Sequence, residues 1–299
     1  MDLKKLPPLL KLLRPHQWTK NVFCFAGVVF GGRLKEPDSL LLAAGVAACF
    51  CAISSTIYVF NDIRDRELDK RHPKKCKRPI ASGRISVGLA GFVAVLLLGT
   101  GLTGAWWLGR ESSDSVLICL LLYLGINYSY CVDLKHRAIL DVNCIASGFV
   151  LRVLSGIYLL GDIPTVWIVL CTYTLALLLA LAKRRGELLG LQEGTEGEQR
   201  PVLESYNIPF LDTLINSAAS VSIVAYSLFT VLGGKNPALC ITIPLVYYGI
   251  MRYKFLAMVK NRTEEPEKVM LRDKGMVSSL VVWIVLYLVI ERSGVQLFR

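Results

Sequence analysis

An all-α, polytopic membrane fold of nine transmembrane helices is what this sequence predicts. Three observations predict it. Apolar residues make up 54% of the 299-residue chain, and the mean hydropathy is +0.50. They are gathered into continuous runs of about 20 residues, the length a helix needs to cross the hydrocarbon layer. The basic residues fall in alternate connections between those runs, as they do in cytoplasmic loops.

Taken in order, the runs place spans at 21–34, 39–60, 87–108, 115–132, 139–160, 164–182, 211–232, 237–257 and 276–291. The first is short and glycine-rich. The fifth carries Arg152 and starts with polar residues, so its start is expected to be lined by protein. Gly88, Gly91, Gly101 and Gly104 permit close helix contacts, within one chain or in a homo-oligomer. Residues 1–18 lack the apolar core and cleavage site of a signal peptide and suit a short amphipathic helix at the membrane surface. No long soluble stretch interrupts the pattern. Residues 1–299 read as a single transmembrane domain, with cytoplasmic loops at 61–86, 183–210 and 252–275; the segment LQEGTEGEQRPVLESYN reads as a flexible part of the second loop.

With the N-terminus in the cytosol, segments 1–20, 61–86, 133–138, 183–210 and 252–275 hold 27 of the 34 Lys and Arg residues. That bias fixes a multi-pass orientation in the inner (cytoplasmic) membrane, with the polar chemistry facing the cytoplasm and the C-terminus outside. It also accounts for the net charge of +11 without a nucleic-acid partner. The nine cysteines contain no CxxC pair, and three histidines do not make a zinc site.

Between the second and third runs lies Asn61–Arg84, with 13 charged residues. Charge beside membrane spans is costly unless it faces water, metal or substrate. Asp62, Asp65 and Asp69 are spaced i, i+3, i+7, which puts them on one helical face. Three carboxylates there repel one another and call for a cation. Their oxygens suit magnesium, whose open positions accept water and phosphate oxygens. A metal-bound diphosphate is the expected occupant, and Asn61 adds a neutral amide at the same depth. The bland alternative is salt bridging among Asp62, Arg66, Asp69, Lys70 and their neighbours. Pro73 and Pro79 make the following stretch a loop. Within it Arg78 is the best-placed phosphate ligand, since a guanidinium makes bidentate phosphate contacts.

A second polar cluster ends the fourth run. Tyr128, Tyr130, Lys135 and Asp141 are candidates for another wall of the cavity, with Lys135 as phosphate ligand and catalytic partner of the three aspartates. Asp141 is open to three roles: helix cap, partner of Arg152, or substrate ligand. Arg152 is a lone intramembrane arginine and therefore a functional candidate. Lys20, Arg152 and Lys183 are candidates to hold an acceptor phosphate. Arg184, Arg252 and Arg272 complete the set of basic site candidates.

The pattern Asn61-Asp62-x-x-Asp65-x-x-x-Asp69 resembles the first acidic motif of the UbiA superfamily of intramembrane prenyltransferases. Within it the chain looks most like the decaprenyl-phosphate phosphoribosyltransferases. The stretches that carry this are RPHQWTKN, NDIRDRELDKRHPKKCKRPIASG, YSYCVDLKHRAILDVNCIASGFVLR, the KRRGEL turn and EEPEKVMLRD. The second region has Asp133 and Asp141 in place of a clear DxxxD pair, which favours the phosphoribosyl branch. The resemblance implies nine transmembrane helices around a central cavity, magnesium, and transfer of 5-phosphoribose from 5-phosphoribosyl-1-diphosphate to a polyprenyl phosphate in the lipid. In organisms with an arabinan wall such a product feeds arabinose-donor synthesis. The alternative is a prenyltransferase using a polyprenyl diphosphate and an aromatic or other small acceptor.

Overall fold

The computed structural model describes residues 7–73, 75–110, 114–192, 201–233, 236–261, 269 and 272–293. Every regular element among them is helical: α1 (Pro8–Leu13), a 3₁₀ helix (Pro15–Phe25), α2 (Ala26–Phe30), α3 (Pro37–Arg64), α4 (Arg66–Arg71), α5 (Val87–Gly109), α6 (Ser115–Val132), α7 (Leu140–Leu159), α8 (Val166–Gln192), α9 (Ile208–Leu232), α10 (Ile243–Met258) and α11 (Lys274–Ser293), with short 3₁₀ turns between some of them. Among the described residues, seven helices are long and apolar enough to cross a membrane: α3, α5, α6, α7, α8, α9 and α11.

The two expected spans outside that set are broken for identifiable reasons. Residues 21–34 do not form one helix. Their first part belongs to the 3₁₀ segment, whose period of three stacks Trp18, Asn21 and Cys24 on one face. Trp18 Nε1 donates to Ser55 Oγ at 3.1 Å and Asn21 Nδ2 to Cys51 Sγ at 3.0 Å, one turn apart on α3. Residues 237–257 divide into a 3₁₀ turn, Pro237–Thr242, and the 16-residue α10. Pro244 has no N–H for the carbonyl of Cys240, so the helix starts afresh beside it.

The chain divides into two units, one of Met1–Lys135 with Ser147–Ile163, the other of His136–Ala146 with Pro164–Arg299. In the first, α3 packs against α5, α6 and the 3₁₀ segment around Val46, Phe50, Ile53, Leu120 and Tyr123. In lipid such contacts stabilise by close packing rather than by removing apolar surface from water. Gly101 and Gly104 let α5 approach: a Cβ would lie 2.9 Å from Ile53 Cδ1 or 3.0 Å from Cys49 Sγ, whereas Gly88 and Gly91 face open space. Phe92, Val95, Leu96, Trp106 and Trp107 are exposed along α5, as suits a lipid-facing helix. Gly156 of α7 lies against the 3₁₀ backbone, where a Cβ would meet the Cys24 carbonyl oxygen at 1.8 Å.

In the second unit, α8 and α9 pack along each other around Leu178, Leu181, Leu211, Ile215 and Ala219, with Tyr253 and Leu256 of α10. Its buried polar groups are chained. Trp283 Nε1 donates to Tyr226 Oη at 2.7 Å, Tyr226 Oη lies 2.5 Å from Thr242 Oγ1, and Thr242 Oγ1 donates to the Leu239 carbonyl at 2.6 Å. Helix α8 runs to Gln192, ten residues into the segment expected as loop 183–210. Residues 193–200 of that loop lie outside the described residues, as do Lys74, residues 262–263, residues 264–268 and 270–271 of the EEPEKVMLRD stretch, and residues 1–6 of the expected surface helix.

Candidate active site

The last turn of α3 and the first turns after it carry the acidic motif. Backbone bonds Asp65 N to Asn61 O (2.9 Å) and Asp69 N to Asp65 O (2.8 Å) hold helical spacing, but the helix breaks at Asp65 itself, between α3 and α4. The break separates the three carboxylates. Asp62 and Asp69 are buried, each 2% exposed, and converge on one cationic atom: Arg78 Nη1 is 3.1 Å from Asp62 Oδ1 and 2.7 Å from Asp69 Oδ2. Arg14 Nη2 reaches the same Asp62 oxygen at 2.5 Å. Asp65, at the break, instead takes Lys135 Nζ at 3.0 Å.

The expectation of one three-carboxylate face is thereby corrected. Among the described residues no three His, Cys, Asp or Glu side chains form a metal-holding group. Two carboxylates converge, and the third has its own lysine. Buried, uncompensated carboxylates would repel one another and carry a large desolvation cost, and three basic side chains offset part of it. Salt bridging does engage Asp62 and Asp69, but through Arg14 and Arg78, while Lys70 pairs with exposed Glu67. The converging pair fits a hard divalent ion: two oxygen donors already aim at a single positive point, and magnesium commonly takes one or two carboxylates and completes its shell with water and phosphate.

Arg14 is a site residue that reading the sequence did not single out. It follows α1, precedes Pro15 and sits in the left-handed region at φ 53°, which is uncommon for a side-chain-bearing residue. Its guanidinium lies 4.8 Å from the Tyr58 ring centroid while it bonds Asp62. The other end of the cluster is set by Arg64, whose Nη1 and Nη2 donate to the Cys131 and Val132 carbonyls at 2.8 and 3.0 Å. These bonds occupy carbonyls left free at the C-terminal end of α6, just before Lys135.

The remaining candidates have distinct fates. Asn61 is half-buried in the last turn of α3 and Lys20 half-buried on the 3₁₀ segment. Tyr128 is exposed with its ring against Phe60 at 5.2 Å, and Tyr130 is half-buried. Arg152 is buried among neutral partners. It does not pair with Asp141: eleven residues along α7 separate the two by roughly 16 Å.

Asp141 belongs to the second unit, fully buried. It accepts from Arg184 Nε at 2.6 Å and from Tyr206 Oη at 2.8 Å, and Arg184 Nη1 also meets Glu187 at 2.6 Å. Asp141 and Arg184, both expected as substrate ligands, are here buried and paired with each other. Tyr206 also accepts the N–H of Ile139, a β-branched residue at φ 70°, at 2.6 Å. Arg252 is held by Asp273 (2.9 and 3.1 Å), Arg272 is exposed and Lys183 half-buried.

The model of the UbiA prenyltransferase family matches residues 21–281. The chain is 32% identical over 291 residues to the decaprenyl-phosphate phosphoribosyltransferase of Mycolicibacterium smegmatis, covering 92% of this chain and 90% of that one. It is 30% identical over 283 residues to the protein of the same name from Mycobacterium tuberculosis, covering 92% and 91%. In structure it is similar to a UbiA homolog from Archaeoglobus fulgidus bound to DMAPP and Mg2+, with a TM-score of 0.71, 18% identity, and coverage of 98% of this chain and 100% of that one.

Proposed function

The chain belongs to the UbiA prenyltransferase family, and on that footing we propose that it transfers 5-phosphoribose from 5-phosphoribosyl-1-diphosphate to a polyprenyl, decaprenyl-like phosphate, releasing diphosphate. It is a multi-pass membrane transferase of all-α, UbiA-like fold. The observation that carries the reaction is the end-to-end match to decaprenyl-phosphate phosphoribosyltransferase, 92% of one chain on 90% of the other.

The chemistry suits the residues present. The bond between ribose C1 and the diphosphate oxygen breaks, and an oxygen of the lipid phosphate bonds C1 in its place. Positive charge develops on the ribose ring as in other sugar transfers. The acceptor is already an anion, so no base need remove a proton. Arg14, Arg78 and Lys135 supply fixed positive charge for a donor rich in phosphate, and each is held until then by an aspartate. Asp62 and Asp69 would hold magnesium, which when bound neutralises charge on the departing diphosphate. Asn61, Lys20, Tyr128 and Tyr130 are proposed as further substrate contacts.

The finer topology is also a proposal. Nine crossings follow if the 3₁₀–α2 segment and the 3₁₀–α10 segment each traverse the membrane with irregular backbone lined by protein, as membrane folds tolerate. The charge bias then puts the acidic cluster at the cytoplasmic side of the inner membrane.

Purified protein given magnesium and either 5-phosphoribosyl-1-diphosphate with polyprenyl phosphate, or polyprenyl diphosphate with an aromatic acceptor, separates the readings. Diphosphate release that needs both components of the first mixture supports the proposal. Release only with the second defeats it.

A further inference from the structure

We infer that Arg152 is a positioning residue, acting through Asn21 on the 3₁₀ segment that seats Arg14 against Asp62. Arginine keeps its charge in proteins, and an intramembrane charge is normally paired. Yet Arg152, 5% exposed, is bonded only to neutral groups: Asn21 Oδ1 at 2.7 Å, Gly148 O at 2.7 Å and Tyr123 Oη at 2.8 Å. Among the described residues no carboxylate pairs with it. The rings of Tyr123, Phe50 and Phe149 surround the guanidinium at 4.6, 5.5 and 5.5 Å, where ring quadrupoles offset its charge. Enclosed in this way, it is a poor docking point for an incoming phosphate and a good tie between elements.

What it ties is unusual. The 3₁₀ helix runs 11 residues, whereas such helices seldom exceed three or four. Asn21 is engaged at both ends, its Oδ1 by Arg152 and its Nδ2 on Cys51 Sγ. Relaxation to an α-helix would shorten the segment by roughly 5 Å, from the difference in rise per residue. With Gly156 against Cys24 at the far end, the shortening would be felt at the near end, where Arg14 meets Asp62 at 2.5 Å. The clamp on Asn21 opposes that retraction and keeps Arg14 in register with the acidic motif.

The inference rests on the proposed transfer reaction for its catalytic meaning, but not for its structural one. Asn21→Leu deletes both side-chain bonds. Arg152→Lys keeps the charge but lacks the planar fork that joins three partners. Each is made in the full chain, alone and with Arg14→Gln. Hydrogen exchange of peptides covering 15–25 is read beside kcat/KM for the phosphoribosyl donor. Both variants are expected to speed exchange in 15–25 and leave α8–α9 unchanged. Each should lower kcat/KM about tenfold with Arg14 present, but less than about twofold with Arg14→Gln, since coupled residues are not additive. Unchanged exchange, or equal losses in both backgrounds, would overturn the assignment. If the wild-type protein releases no diphosphate from this donor, the transfer reading fails, and the exchange measurement alone decides the clamp.

Discussion

Changing Asp141 to Asn keeps the shape of a fully buried side chain and removes its charge. Arg184, itself 2% exposed, then loses the carboxylate that lies 2.6 Å from its Nε. Removing one partner of a buried pair usually costs 3–5 kcal/mol, because the other charge stays buried. Glu187, 2.6 Å from Nη1 and 12% exposed, retains part of the compensation and moves the expectation to the low end, about 3 kcal/mol. Tyr206, which bonds both Asp141 and the strained Ile139 turn, feels the same change. Unfolding of purified protein in detergent should show the loss, while donor KM in the surviving folded protein stays near the wild-type value. Asp141→Leu with Arg184→Met should recover most of the stability, since apolar replacement of a whole buried pair is often neutral or better. A stability within about 0.5 kcal/mol of wild type together with a large rise in donor KM would instead make Asp141 a substrate ligand.

Other consequences are open to measurement. Asp62→Asn should abolish magnesium-dependent turnover while leaving the helical circular dichroism intact; normal turnover at ordinary magnesium would remove Asp62 from the metal site. Gly156→Ala places a methyl against the Cys24 carbonyl, where backbone must move, so folded yield should fall; overpacking costs about 1–3 kcal/mol or more. Equal yield and melting temperature would show that the close approach is not rigid. The hydrogen bond from Arg252 holds the Asp273 carboxyl below its usual range, and Asp273 Oδ1 also caps α11 through Met276 N at 3.0 Å. A depressed folded-state pKa means a contribution fully present above the unfolded value near 4 and lost as pH falls through the folded value. Asp273→Asn keeps a capping oxygen but not the charge, so its stability should fall less than wild type's on acidification below about pH 4.

The legible parts of this protein were those written locally. Long apolar runs located the seven helices, among the described residues, that are long and apolar enough to cross a membrane, and the i, i+3, i+7 aspartates located the acidic motif. Proline turns and the end of an apolar run set Arg78 and Lys135 apart from the other bases, and the fold places each against an aspartate of the motif. The break at Asp65 was hidden, since the backbone bonds on both sides of it keep helical spacing. Arg14 was hidden for another reason: in a basic N-terminal segment, the membrane sidedness expected from the sequence already accounts for its charge. The partners of Asp141 lie 43 and 65 residues away, at Arg184 and Tyr206, and only tertiary packing chooses them over Arg152. The 3₁₀ period of Trp18, Asn21 and Cys24 is present in the sequence, but its meaning comes from Ser55, Cys51 and Arg152 opposite it.

The most direct measurement follows the sugar. Purified full-length protein is incubated with magnesium, polyprenyl phosphate and 5-phosphoribosyl-1-diphosphate labelled in the ribose. Label is expected in the lipid fraction, with one diphosphate released for each ribose transferred. The proposed transfer is contradicted if the lipid stays unlabelled while the same preparation moves a prenyl group from polyprenyl diphosphate to an aromatic acceptor.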